Sequence, residues 1–111
     1  MVRHDARVIF HIADRDRWQR SLAAGEYTAS TIGMELDEQG FIHLSTAEQV
    51  PGVVERFYQG VANLVLLHID QSRLTAELVF EQLDGAPEPF PHLYGPLNTD
   101  AVVDVTDPFP A

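Results

Sequence analysis

Residues 40–46, Gly-Phe-Ile-His-Leu-Ser-Thr, and residues 90–97, Phe-Pro-His-Leu-Tyr-Gly-Pro-Leu, are the two stretches that decide the fold of this chain. Each stretch sets a histidine in a short apolar run that is bounded by residues which restrict the backbone. Gly40 can turn the chain into a strand, and two prolines and a glycine restrict the second stretch further. A polar imidazole held inside a rigid apolar run indicates a role beyond packing. We therefore look for the functional site around these two stretches.

The composition predicts a single globular domain over residues 1–111. The chain has 111 residues, of which 45% are hydrophobic, so it can bury a core without disulfide or metal staples. It contains no cysteine, which excludes disulfides, thiolate catalysis and zinc sites built on cysteine. No apolar run approaches the roughly 20 residues of a membrane-spanning helix. We expect a cytoplasmic protein that does not enter the membrane.

The charge balance narrows the range of partners. Seventeen acidic residues face seven basic ones, which gives a formal net charge of -10. All seven basic residues are arginines, so chemistry that needs a lysine, such as Schiff-base formation, is excluded. A strongly anionic surface repels a phosphate backbone, and we do not expect a nucleic-acid partner. The sequence does not indicate a protein partner.

The first half of the chain is predicted to form a strand, a helix and a second strand. Apolar residues alternate over residues 7–13, which is typical of a strand. Asp14 and Gly25 are positioned to cap and to end the helix that follows. Residues 28–39 lack clear periodicity and are predicted to form a loop with room for one helical turn. Residues 41–44 predict a short strand with His43 on the side opposite Ile42.

The second half is predicted to contain one helix and three strands. Residues 45–48, Ser-Thr-Ala-Glu, have the capping-box pattern and predict a helix that starts at Ser45, although Pro51 indicates an irregular first turn or a later start. Strands are predicted over residues 64–69, 76–82 and 101–105, the first of them central and buried on both faces. Residues 85–96 carry four prolines and two glycines and are predicted to form an ordered loop. The five strands and two main helices indicate an α+β domain with small mixed or antiparallel sheets.

Six side chains are candidates for a small-molecule site, with His43 and Glu81 in catalytic roles and the others in ligand contacts. They are His11, His43, Ser45, Glu81, His92 and Tyr94. Three of them have an equally ordinary structural interpretation. His11 is also explained as a half-buried histidine bonded to backbone, Ser45 as a helix cap, and Glu81 as an exposed strand carboxylate. The histidines lack the close spacing of known metal motifs, so no metal site is predicted.

The two opening motifs resemble a known family. Together with Glu81 and residues 64–70, Leu-Val-Leu-Leu-His-Ile-Asp, they look like the bacterial and plant family called domain of unknown function 952. The resemblance covers residues 8–105. The family's name records that no activity is assigned to it.

A more distant resemblance suggests an architecture and a ligand class. The order Ile-Phe-His at residues 9–11, Ile-His-Leu-Ser at residues 42–45 and the histidine-containing run 66–70 is similar to the RNA 2'-phosphotransferases of the ADP-ribosyltransferase-like fold. That resemblance implies a split pair of small sheets around a cleft, NAD as a possible cofactor, a ribose contact for His11 and a carboxylate role for Glu81. The chain departs from those enzymes because it lacks their basic RNA-binding patch.

Two functions from different classes therefore stay open. The first is an enzyme acting on a nucleotide-like or NAD-derived molecule, in which histidines orient hydroxyls and Glu81 stabilises positive charge or acts as a general base. The second is a non-catalytic binding or regulatory module on the same fold. For either function we expect His11, His43 and His92 to open on one concavity. We also expect the affinity for a phosphate-bearing ligand to rise at low pH, as His43 or His92 becomes charged.

Overall fold

A computed structural model describes residues 7–83 and 85–110 of the chain. His4, which we expect to have no role in the site, lies outside these residues. The described part contains ten strands and three helices. In chain order they are β1 (Val8–Asp14), α1 (Arg15–Ala24), β2 (Glu26–Tyr27), β3 (Ala29–Thr31), β4 (Met34–Glu35), α2 (Leu36–Gln39), β5 (Ile42–His43), α3 (Val50–Phe57), β6 (Leu64–Asp70), β7 (Glu77–Glu81), β8 (Phe90–Tyr94), β9 (Leu97–Asn98) and β10 (Val102–Phe109). The α+β class is confirmed.

The first sheet has three antiparallel strands in the order β1-β6-β10. Its central strand β6 is the apolar run that the sequence predicted to be buried on both faces. Leu67 packs into a core between the two larger sheets, and Leu66 packs on the opposite face beside α3. Burial on both faces explains why this strand is almost continuously apolar.

The second sheet is also antiparallel and has the order β5-β8-β7. Its centre, β8, falls within residues 85–96, so the prediction of a loop there was wrong for Phe90–Tyr94. Pro91 is compatible with this central position because the N–H and C=O of one strand residue point to the same side. The Pro91 carbonyl accepts a hydrogen bond from the Leu44 amide at 3.0 Å, so this carbonyl points towards the chain just beyond β5. The backbone N–H that proline lacks would point the same way, so its absence removes no hydrogen bond between β8 and β7.

Two smaller strand pairs, β2-β9 and β3-β4, complete the fold. Residues 28–39 were predicted to form a loop with room for one helical turn. The single turn is present as α2, but the segment also forms the strands β3 and β4. Strands of two or three residues carry too few side chains to show a period, which is why they were missed. No helix in the described residues is long and apolar enough to cross a membrane.

The helix caps were predicted with mixed success. The Asp14 side chain accepts a hydrogen bond from the Arg17 amide, and Gly25 ends α1 in a left-handed conformation, as expected. The prediction that Ser45 caps the next helix was wrong, because α3 begins at Val50. Instead, the backbone of Ser45 exchanges hydrogen bonds of 2.7 and 2.8 Å with Phe10, which joins β1 to the chain that leaves β5.

Candidate functional site

The second sheet presents one face to the core and the other to a cleft. Successive strand residues point to opposite faces. Leu93 of β8 and Ile42 of β5 are fully buried in the core. Their neighbours His92 and His43 pair across the two strands and belong to the opposite face. The predicted alternation of His43 and Ile42 is confirmed.

That face is the floor of a cleft with a volume of about 770 Å³, within the range of small-molecule sites. The helix α3 and the turn between β3 and β4 supply further walls. Residues lining the cleft are Thr31, Ile32, Gln39, Phe41, His43, Val53, Arg56, Phe57, Tyr58, Val61, Glu81, Leu83, Gly85, Ala86, Phe90 and His92. Most of these side chains are apolar or aromatic.

Glu81, His92 and Tyr94 form a hydrogen-bonded group. Glu81 and His92 lie on neighbouring strands, and a Glu81 carboxylate oxygen lies 2.8 Å from Nδ1 of His92. The same oxygen accepts a short hydrogen bond from the Tyr94 hydroxyl. These donations, that of Tyr94 first, hold the pKa of Glu81 below its ordinary value. The bond to Glu81 also raises the pKa of Tyr94.

His92 is 3% exposed and is fixed from two sides. Its ring stacks on Phe41 with the ring centres 4.0 Å apart. Because Nδ1 donates to the carboxylate, Nε2 is the ring nitrogen left without a hydrogen-bond partner among the described residues. This arrangement, in which a carboxylate orients an imidazole, lets Nε2 accept and return a proton.

His43 is a neutral polar group in an apolar wall. Burial, and then the neighbouring His92, lower its pKa to about 4. Its ring centre lies 5.1 Å from that of Phe90 and 5.4 Å from that of His92. No hydrogen bond to its ring nitrogens is made within the described part of the chain. His43 is therefore available to bond a ligand, but its low pKa contradicts our expectation that it gains charge as the pH falls through the usual histidine range.

His11 lies behind the cleft in the core between the sheets. Its Nδ1 donates to the His43 carbonyl at 2.7 Å, and its Nε2 lies 2.9 Å from the Tyr27 hydroxyl, which donates to it in the neutral tautomer. Burial lowers the pKa of His11 to about 4, in keeping with this neutral form. Burial also raises the pKa of Tyr27. Both ring nitrogens of His11 are occupied, and the ring supports the backbone of β5 directly beneath His43.

The six predicted residues thus separate into two sets. His43, Glu81 and His92 line one cleft, whereas His11, Ser45 and Tyr94 are not among its lining residues. The expected concavity shared by all three histidines contains two of them. Tyr94 reaches the cleft only through its bond to Glu81. Any direct contact of the second set with a ligand stays a prediction.

Sequence reasoning missed the contribution of α3 to the site. None of the six candidate site residues lies on α3, but Val53, Arg56 and Phe57 of this helix belong to the site. The three residues are three and four positions apart and so share one helix face, and all three line the cleft. The sequence did contain one indication of this role, since an arginine interrupts the apolar face of the predicted helix.

Among the described residues, no group of histidine, aspartate or glutamate side chains is arranged to hold a metal ion. The polar side chains that line the cleft can hydrogen-bond a ligand and exchange protons with it, and its aromatic side chains can stack on a ring. Phosphate-binding capacity is limited to one guanidinium, that of Arg56, among the lining residues.

A family model described as "Protein of unknown function (DUF952)" matches residues 12–105, and the chain belongs to this family. The resemblance drawn from the two motifs is thereby confirmed. No curated protein matches the chain.

Three solved structures of the protein CC0527 from Caulobacter crescentus are similar to this chain. One crystal structure is 34% identical over 89% of this chain and 83% of that chain, with a TM-score of 0.76. A crystal structure of a double variant of CC0527 is 33% identical, with the same coverage and TM-score. The solution NMR structure is 35% identical over 90% of this chain and 83% of that chain, with a TM-score of 0.74.

Proposed function

We propose that this protein binds a nucleoside-like small molecule in the cleft and acts on it by proton transfer through His92 and Glu81. The observation that carries the proposal is the imidazole of His92. It is almost completely buried, it is oriented by a carboxylate 2.8 Å away, and it lies in the wall of a cleft large enough for a ligand. A buried imidazole that is oriented by a carboxylate in a cleft is a physical indication of function.

The aromatic walls support a ligand with a planar ring. Phe41, Phe57, Tyr58 and Phe90 line the cleft together with the two imidazoles, and planar bases stack well on such rings. The resemblance to the ADP-ribosyltransferase-like fold supports the same ligand class. Several small antiparallel sheets beside a cleft agree with that architecture, which is part of the proposal.

The residues do not fit a complete NAD molecule. The resemblance assigns a ribose contact to His11, but both of its ring nitrogens are bonded inside the core. The pyrophosphate of NAD has two phosphate groups to be held, and the cleft offers one arginine among its described lining residues. We therefore propose a smaller nucleoside-like ligand and derive no step through NAD.

In this proposal each polar residue has a distinct role. The Nε2 atom of His92 takes a proton from a ligand hydroxyl, and the ionised Glu81 stabilises the imidazolium that forms. When the deprotonated oxygen displaces a group from the ligand, His92 gives this proton to the group that leaves, so the pair is regenerated. His43, whose pKa of about 4 keeps it neutral, holds the ligand by hydrogen bonding. His11 and Tyr94 act as positioning residues, through the His43 backbone and through Glu81.

Calorimetry with adenosine, guanosine, cytidine, uridine and nicotinamide riboside tests the proposal. We expect at least one of them to bind, and we expect Glu81→Gln to weaken or inactivate the site because a neutral amide cannot stabilise the imidazolium. Glu77→Gln is the matched control, since Glu77 lies on the same strand but does not line the cleft. If the wild type binds none of the five compounds, the proposal is wrong.

A specific observation favours the second candidate, a non-catalytic binding module. Of the two residues predicted to be catalytic, His43 has a pKa of about 4, below the range in which a general acid works well near neutral pH, so an enzyme would depend on Glu81 and His92 alone. Prolonged incubation with the tightest-binding nucleoside, followed by mass spectrometry, separates the two functions. Recovery of unchanged ligand from both the wild type and Glu81→Gln would favour the module. Conversion by the wild type alone would favour the enzyme.

A further inference from the structure

We infer that Arg56 anchors a single phosphomonoester group, so that the cleft prefers a nucleoside monophosphate to both the free nucleoside and the diphosphate. The inference rests on the proposed nucleoside-binding function and specifies its ligand. It follows from the position of Arg56, from its free charge and from the charges around it.

The helix α3 directs Arg56 at the cleft. Val53 is buried in the core beside β6 and fixes the inner face of the helix. Arg56 and Phe57 lie three and four positions later, on the same side, and both are exposed where they line the cleft. The guanidinium carbon of Arg56 lies 5.8 Å from the centre of the Phe57 ring. The helix therefore presents a cation and an aromatic ring side by side, as a phosphate next to a nucleoside requires.

None of the carboxylates that the structure describes pairs with Arg56. Arg15 pairs with Asp107, Arg17 with Glu35 and Arg73 with Asp70. By contrast, Arg56 has no ion pair or hydrogen bond with any residue that the structure describes. The chain has a net charge of -10, and Arg56 is the one arginine among the described residues that line the cleft, so we expect a small anion to bind there.

The surrounding charges limit the ligand to one phosphate. Glu81 is the carboxylate of the cleft, and Arg56 is its one cation among the described lining residues. A second phosphate would meet no second cation and would add repulsion from Glu81 and from the anionic surface. Arg56 and Glu81 belong to different walls, helix and sheet. A monophosphate on Arg56 leaves the rest of the nucleoside to face His43 and His92.

Arg56 also lies in the last turn of α3, where a cation stabilises the helix dipole. If this were its only role, replacing Arg56 would lower the stability of the protein but would not change the difference in affinity between a nucleoside and its monophosphate. The test must therefore measure the phosphate contribution separately from folding.

The test compares adenosine, guanosine, cytidine and uridine with their 5'-monophosphates and 5'-diphosphates by calorimetry. For the base that binds, we expect the monophosphate to bind about tenfold more tightly than the nucleoside, as is typical of a charge-assisted hydrogen bond. Arg56→Gln should remove most of this gain and leave the affinity for the nucleoside within about twofold. Raising the salt concentration should reduce the gain in the wild type, because the contact is at the surface.

Arg20→Gln is the matched control. Arg20 is also an exposed helix arginine without an ion pair among the described residues, but it does not line this cleft. Its substitution should leave both affinities unchanged. Arg56→Lys should keep part of the gain, because the charge remains while the planar fork is lost.

The outcomes distinguish this inference from the proposed function. If a nucleoside binds but its monophosphate binds no better, or if Arg56→Gln weakens both equally, the anchor is wrong and the nucleoside site stands. A diphosphate that binds more tightly than the monophosphate also overturns the single-phosphate inference. If neither nucleosides nor monophosphates bind, the proposed function fails and this inference fails with it.

Discussion

The two three-stranded sheets of this protein differ in what their central strands face. The strand β6 is covered on both faces, by the core between the sheets and by α3. The strand β8 faces that same core through Leu93, but its other face carries His92 and lines the cleft. The first sheet thus has both faces covered, whereas the second packs one face against the core and lines the cleft with the other.

The difference extends to the histidines. His11 belongs to the first sheet, and both of its ring nitrogens are bonded within the core. His92 belongs to the second sheet, and among the described residues only its Nδ1 is bonded. A buried histidine with hydrogen bonds to both ring nitrogens stabilises the fold. A histidine in a cleft with one ring nitrogen unpaired can form a hydrogen bond to a ligand. The predictions that follow test this contrast.

The largest expected effect is a loss of stability in mild acid. The pKa values of His11 and His43 are about 4 in the folded protein, against an ordinary value of 6.5. Between these values the unfolded chain binds protons that the folded chain excludes, so stability is present above pH 6.5 and is lost as the pH falls towards 4. The two histidines together should take up about two protons on unfolding near pH 5. Below pH 4, where the effect is complete, each histidine should lower the free energy of unfolding by on the order of 3 kcal/mol.

Calorimetric unfolding in several buffers between pH 4 and 7 measures this proton uptake. His11→Gln, or His43→Gln if the first variant does not fold, should reduce the uptake from about two protons to about one. An uptake near zero in the wild type would show that these histidines are already protonated in the folded state. The assignment of both as neutral groups would then be wrong.

The next effect tests whether the cleft-bearing sheet is as integral to the core as the buried one. Leu67 of β6 and Leu93 of β8 are both 0% exposed and belong to the same core. Leu67→Ala and Leu93→Ala should each lower the free energy of unfolding by about 3 kcal/mol. Urea titration gives these values, and Leu22→Ala, at a residue 54% exposed on α1, should cost less than about 0.5 kcal/mol. A small effect for Leu93→Ala alone would show that the second sheet is only loosely attached.

The same contrast explains how much of the fold could be predicted from the sequence. The strand β6 was predicted because a strand buried on both faces is a nearly continuous apolar run. The strand β8 was missed because His92 and Tyr94 occupy positions that are apolar in a strand buried on both faces. Pro91 also misled the prediction, because proline is common in loops. Its proline is tolerated only because the missing donor points beyond β5, which depends on a pairing that is remote in sequence.

The site was predicted in part for a related reason. His43 and His92 were found because each is a polar residue in a short apolar run, and Glu81 was found because it lies on a predicted strand. Arg56 was missed because an arginine on a helix is ordinary until the facing wall is known. The capping-box pattern at Ser45 misled the helix prediction, since the backbone of Ser45 is engaged by Phe10. Tertiary pairing overrode a local signal that was sound by itself.

A close approach within the second sheet gives the next effect. A methyl group at Gly95, just after β8, would lie 2.7 Å from the β-carbon of Ala76. Gly95→Ala should therefore cost about 2 kcal/mol through overpacking. The double variant Gly95→Ala with Ala76→Gly should recover much of this loss, and thermal or urea unfolding of the four proteins completes the cycle. Additive losses in the double variant would mean that the two residues are not in contact.

The smallest effect is a gain, and it concerns the helix that covers the first sheet and carries Arg56. Gly52 lies in α3, and a β-carbon there would meet nothing within 4 Å. Gly52→Ala should stabilise the protein by up to about 1 kcal/mol, because alanine loses less backbone entropy in a helix than glycine does. Urea titration measures the gain, and the affinity for a nucleoside monophosphate should not fall, since residue 52 does not line the cleft. A loss of stability would place residue 52 outside the regular helix. The regular helix would then begin after residue 52, and its geometry could not be used to place Val53, Arg56 and Phe57 on one face. The anchoring role of Arg56 would be supported by its charge alone.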